Sequence, residues 1–201
     1  MLSSAEFKKH ISKPLGNNLK QHGFKGSGYH YRHENEYYYF AIGIQGSNYG
    51  DKCYVELGMH PKFLETEIID PKKFKYYDCE LRTRIGSEWE YSESEEKNIR
   101  TAEQIGANVI DQFAPIFKKL SENPKILEQI IFDTDEPINK QISGLLNNFT
   151  SMTTETRLTW VLFEYWKNVN KEKAIEIAEF GLRELKPGNP FFARNEYIKY
   201  I

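Results

Sequence analysis

Cysteine is scarce: Cys53 and Cys79 are the only two in 201 residues. That excludes a disulfide scaffold and suits a reducing compartment. The two could be neighbours across strands, but they read better as packed free thiols. No apolar run approaches the roughly 20 residues of a membrane helix. The opening MLSSAEFKKHISK carries charge where a secretory signal has its apolar segment, so a cytoplasmic location without a membrane partner is expected. CxxC, HExxH and phosphate-loop motifs are missing. Gly26-Ser27-Gly28 reads as a turn before a strand, so it lacks the helix N-terminus that phosphate loops use. His30 and His33 sit three apart in a strand and point to opposite faces, which stops them holding one ion together. No Ser-His-Asp or Cys-His arrangement follows from spacing. No cofactor and no metal are therefore expected.

Present in quantity are apolar residues (39%), enough for a core, and charged residues (28%). The net charge of −2 hides a split. Residues 1–33 carry Lys8, Lys9, Lys13, Lys20, Lys25 and Arg32 against Glu6 alone, with His10, His22, His30 and His33. Residues 86–104 carry Glu88, Glu90, Glu93, Glu95, Glu96 and Glu103 against Lys97 and Arg100. Such a split marks either two solvated helix faces or a basic surface for an acidic partner.

The stretch from Tyr37 to His60 organises the fold. Two runs rich in aromatic and β-branched residues flank a Gly-Ser-Asn-Tyr-Gly-Asp turn, the composition of an antiparallel hairpin. Tyr38, Phe40, Ile42 and Ile44 alternate onto one face with Cys53, Val55, Leu57 and Met59. Tyr37, Tyr39, Ala41 and Gln45 share the other with Tyr54, Glu56, Gly58 and His60. One face is a core face and the other is polar-aromatic.

Around this hairpin, Ser3 and Glu6 have capping-box spacing. Phe7, Ile11, Leu15 and Leu19 form an apolar helical stripe, in which Pro14 either kinks the helix or starts a second one. Gly23 stands at the C-terminal cap, with Phe24 as its hydrophobic contact. Tyr29–His33 reads as a short strand, Phe63–Thr66 as a helical turn, and Asp78–Gly86 as a fourth strand. Ser92 and Glu95 open a long helix with Ile99, Ala102, Gly106, Val109, Ile110, Phe113, Phe117 and Leu120 at helical spacing; Gly106 permits close approach to the sheet. Asn123-Pro124 opens a short helix through Phe132. Asp133–Pro137 is the expected boundary between an α+β domain (1–133) and a helical extension packed on it (134–201). Helices follow around Ile138–Phe149, Leu158–Trp166 and Ala174–Leu185. Through Tyr165, Ala174, Ala178, Gly181 and Leu182, the last two resemble a single tetratricopeptide-type hairpin. The expected fold is α+β: a four-stranded antiparallel meander with helices on one face, then the C-terminal helical extension.

Several of these residues recur in one family. The Gly23-Phe24 step, the aromatic strand Tyr37–Gln45, the strand Tyr54–Gly58, the run Asp78-Cys79-Glu80 into Arg82-Thr83-Arg84-Ile85-Gly86, then Trp89 and the helix from Ser94 resemble a bacterial family called domain of unknown function 4304. The resemblance covers about residues 1–130. It implies no activity, because the family has none assigned, and it carries over no catalytic residue.

The candidate binding face gathers Tyr37, Tyr39, Tyr54, Glu56, His60, Glu80, Arg82 and Arg84. Exposed, it offers stacking surfaces and guanidinium forks for a nucleobase, a phosphate or a partner's carboxylate. Covered by the C-terminal helices, it becomes a network pairing Glu80, Arg82 and Arg84, with Glu56 as a further partner. The leading expectation is a non-enzymatic protein that recognises another protein, in a toxin-neutralising or regulatory role. The second is nucleic-acid binding through the basic N-terminal third or the Arg82/Arg84 face. The third is a magnesium nuclease, on the loose carboxylate-x-basic pattern of Asp78, Glu80 and Arg82.

Overall fold

The computed structural model describes residues 2–47, 51–64, 70–132, 134–149, 152–185 and 191–201. Helix α1 (Ser4–Gln21) starts on the capping box of Ser3 and Glu6 and runs through Pro14 as one helix. Its stripe of Phe7, Ile11, Leu15 and Leu19 is fully buried. Gly23, at φ +83°, ends it: the Phe24 amide donates to the Leu19 carbonyl and the Gly23 amide to that of Lys20. This paired closure needs a left-handed residue, which glycine supplies without steric cost.

The sheet has five strands, not four, in the order β1 (Lys25–Ser27), β2 (His30–Glu34), β3 (Tyr38–Gly46), β4 (Lys52–Pro61) and β5 (Leu81–Glu90), all antiparallel. The added strand is the supposed turn Gly26-Ser27-Gly28: Gly26 pairs with Tyr31, and the reversal falls at Gly28-Tyr29. Three residues are too few to show a period of two, so pairing with β2 decides the matter. β5 begins at Leu81, later than expected, because Tyr76–Asp78 winds into a 3₁₀ turn capped by Asp78 on the Lys75 amide. The hairpin tip at 48–50, and residues 65–66 of the expected helical turn, lie outside the described residues.

Register places the expected apolar set on one face. Phe40 pairs with Met59, Ile42 with Leu57 and Ile44 with Val55, and all are buried. Helix α1 and helix α2 (Glu95–Glu122) cover this face. Phe40 meets Phe113 of α2 edge-on at 5.2 Å, and the Tyr31 hydroxyl donates to the Ser12 carbonyl of α1. The cap of α2 is Ser94. Gly106 admits Asn18 of α1 rather than the sheet, so its missing side chain brings two helices together. After Asn123 the chain makes only a 3₁₀ turn, Ile126–Gln129, where a short helix was expected.

On the opposite face lies residues 70–79, the connection between β4 and β5, here called the strap. Phe74, Ala41 and Cys79 form a second buried cluster, with Tyr39 and Tyr76 packed against it. A side chain at residue 43 would run into the Tyr76 ring, and one at residue 58 would come within 2.8 Å of Cys79 Cβ. The two thiols are thus free, buried and on opposite sides of the sheet. Burial pushes the Cys53 thiol up to about 12 and raises that of Cys79 as well.

The remaining helices are α3 (Ile138–Leu145), α4 (Glu155–Lys167), α5 (Lys171–Glu184) and α6 (Ala193–Tyr200). Thr154 and Asn170 cap α4 and α5. Tyr197 of α6 packs edge-on against Phe163 of α4 at 5.0 Å. Their apolar faces join the same buried cluster as the sheet. Asp133, in the expected boundary, lies outside the described residues.

The strap should lift if Gly43 gains a side chain. Gly43→Ala is expected to lower stability by about 1–3 kcal/mol, the usual cost of overpacking. In the double variant with Tyr76→Ala the losses should not add, as measured by urea unfolding. Strict additivity would show that residues 43 and 76 do not share this space.

Candidate functional site

The strap divides the outer face into two wings. Across the sheet, register aligns Lys25, Arg32, Ala41, Gly58 and Arg82 in one row, and Ser27, His30, Gly43, Glu56 and Arg84 in the next. The strap sits on the middle of both rows, over Ala41, Gly43 and Gly58. The residues proposed as one binding face therefore fall into separate places.

On the β4/β5 wing, Tyr54, Glu56 and Arg84 come together. The Glu56 carboxylate is 1% exposed and accepts from Arg84 at 3.0 Å; the guanidinium also lies 4.2 Å above the Tyr54 ring. Tyr54 donates to Glu88. Further along, Glu80 is buried and pairs with Arg157 of α4 at 3.0 Å. His60 is buried beside them, its Nε2 3.2 Å from the Leu64 carbonyl. Arg82 gives its backbone to the C-terminal region: its carbonyl accepts from the Met152 amide, and its amide donates to Thr153. Tyr39 packs on Phe74 with Lys62 above its ring at 4.5 Å. Tyr37 stays exposed at the start of β3, two strands away from Arg84. Among the described residues, the C-terminal region thus reaches this face at its Glu80–Arg82 end, and the strap covers its centre.

Asp78, Glu80 and Arg82 do not line one strand. Asp78 sits in the 3₁₀ turn with its carboxylate on the Lys75 amide, and Glu80 faces Arg157. Among the described residues, no group of three or more metal-ligating side chains comes together.

The β1/β2 wing holds what the sequence did not assemble. The strap begins with a turn in which the Lys72 amide donates to the Asp70 carboxylate and those of Lys73 and Phe74 to the Asp70 carbonyl. This presents Lys72, Lys73 and Lys75 beside β1 and β2. There they form an open hollow of about 440 Å³ with Gly26, Ser27, His30 and Arg32. A second hollow of about 430 Å³ adjoins it, sharing Arg32 and Lys72 and lined also by Gly23, Lys25, His33, Glu34, Pro71 and Phe74. Five cations converge here. Glu34 is taken by Lys62 at 2.8 Å, and the only ion pair among the five is Lys73 with Asp70 at 3.8 Å, within the described residues. Burial, then Lys75, Lys8 and Arg32, hold the His30 imidazole below its ordinary value; burial does the same to His33. The signals available in the sequence were the basic excess of residues 1–33, the lysines after Pro71, and two glycines inside central strands, which mark a close backbone approach.

The family model described as domain of unknown function (DUF4304) matches residues 15–119. The chain belongs to this family. The matched span runs from within α1 to near the end of α2, so it contains the sheet, the strap and both wings. Helices α3–α6 lie outside it. Neither the curated proteins nor the solved structures give a significant match.

Two outcomes follow. Arg84→Ala strands a buried carboxylate and should cost about 1–3 kcal/mol, discounted for the partial exposure of the arginine; adding Glu56→Gln should recover most of it. An undiminished loss in the pair would place the cost in packing. The second outcome concerns acid. His30, His33 and His60 all sit below the ordinary 6.5, each chiefly through burial, so the unfolded chain binds more protons. Their contribution is complete above about pH 6.5 and is lost as pH falls through the folded values. Burial raises Glu80 above 4.5, which acts in the opposite sense. Urea unfolding at about pH 7.5 and about pH 5.5 should show the lower stability at the lower pH.

Proposed function

We propose that this protein binds single-stranded nucleic acid along the β1/β2 wing. The observation that carries the reading is the cationic run Lys25, Arg32, Lys72, Lys73 and Lys75 along two adjoining hollows. A folded chain gains nothing from holding like charges together, and their repulsion works against the fold. A ligand that brings phosphates offsets that cost. Non-specific single-strand binders combine such a groove with aromatic stacking surfaces. Tyr77 supplies one: it is exposed, with the Lys75 ammonium 5.4 Å from its ring.

Recognition of an acidic protein segment uses the same charge, but a tight protein interface centres on aromatic or apolar anchors. The exposed apolar side chains Phe192, Ile198 and Ile201 belong to the α6 region, which packs on α4 and α5 instead. The β4/β5 wing supports neither reading as strongly, because Arg84 and Glu56 already satisfy each other.

Titration of a labelled single-stranded oligonucleotide over a range of salt tests the proposal. Each neutralised phosphate contributes about −0.7 to the log–log slope, so three or four contacts give about −2 to −3. Lys72→Glu with Lys75→Glu should weaken binding at least tenfold or so, while Lys171→Glu on α5 should not. Binding of polyglutamate without binding of the oligonucleotide would overturn this reading in favour of an acidic protein partner.

A further inference from the structure

We propose that the β1/β2 wing takes a nucleotide carrying a terminal phosphate monoester, with the phosphate in the hollow of Ser27, His30, Arg32 and Lys75 and the base in the neighbouring hollow against Pro71 and Phe74. This rests on the nucleic-acid reading above and adds which part of the strand is held. The two hollows differ in chemistry. The first is lined by Gly26, Ser27, His30, Arg32, Lys72, Lys73 and Lys75, with no carboxylate among the described residues. The second has an apolar side in Pro71 and Phe74, the backbone of Gly23, and the carboxylate of Glu34 as its one acidic group among the described residues. Each is of the size that takes a small ligand, roughly 300–1,000 Å³. Their shared wall is Arg32 and Lys72, so a group spanning both has its charged part on one side and its flat part on the other.

Three observations favour an end over the middle of a strand. A monoester carries about −1.5 to −2 charge against −1 for an internal diester, so converging cations discriminate between them. Glu34 lines the second hollow, so the next phosphate of a continuing strand would meet a carboxylate already paired with Lys62. The wall of the first hollow also holds a buried nitrogen without a partner among the described residues, Nδ1 of His30. Buried polar atoms are ordinarily paired; a bound phosphate supplies this one with a partner.

Competition against a labelled oligonucleotide tests this. Adenosine monophosphate should displace it, inorganic phosphate more weakly, and adenosine not at all. An oligonucleotide with a terminal phosphate should bind about tenfold or more tightly than the same strand ending in hydroxyls, the worth of one good charge-assisted contact. Arg32→Gln and Lys75→Gln, each at partly exposed positions, should abolish that preference, whereas Lys171→Gln should leave it intact. Equal affinity for both strand ends overturns the terminal site and leaves the nucleic-acid reading standing. Binding of adenosine monophosphate without binding of either strand keeps the two-hollow site and overturns the polymer reading. Absence of binding by every probe overturns both.

Discussion

The ring of Tyr76 rests where a side chain of residue 43 would stand, and Cys79 where one of residue 58 would. Everything distinctive about the outer face depends on this exclusion. Glycine inside a strand forfeits packing and costs roughly 0.5–1 kcal/mol in backbone entropy. Here the loss is offset because the vacated space admits a whole segment, with Phe74 and Cys79 buried on Ala41. A sheet that would otherwise show one broad face to water becomes a three-layer arrangement at its centre, helices below and the strap above. The strap is also what carries Lys72, Lys73 and Lys75 to β1 and β2. Fold and binding surface therefore share one cause.

The two wings handle charge in opposite ways. On the β4/β5 side, Glu56 is matched by Arg84 and Glu80 by Arg157, so buried carboxylates meet guanidinium groups. Such pairs fix geometry more than they stabilise, since desolvation consumes much of the attraction. On the β1/β2 side, cations gather with one acid between them already committed to Lys62. Arg32 and Lys72, which belong to both hollows, have no ion-pair partner among the described residues. Charge left unmatched in a concave place is what an anionic ligand requires.

Much of the architecture was legible from periodicity. Phe40, Ile42, Val55 and Leu57 alternate with a period of two and are buried; Phe7, Ile11, Leu15 and Leu19 repeat at helical spacing and are buried. The cap at Ser3 was visible because its hydroxyl acts within three residues. What escaped was long-range or too short to be periodic. Lys25–Ser27 is a strand only through its partner, and Gly106 serves α1 although its sequence neighbourhood says nothing of that. Of the candidate face, Tyr54, Glu56 and Arg84 come together, but alternation cannot reveal that an irregular loop returns to lie across the sheet. For the same reason the lysines of that loop could not be joined to Arg32 from sequence.

Beside β5, Met152 and Thr153 occupy the backbone carbonyl and amide of Arg82, groups that the margin of a sheet otherwise leaves vacant. At the other margin stands β1, only three residues long and holding Lys25. Long unguarded margins recruit strands from other molecules. Met152 and Thr153 come after residue 119, outside the family segment, so a chain reduced to that segment would leave the Arg82 end of this strand open to another molecule. The segment leading into α4 thus serves as a stopper at that end of the sheet.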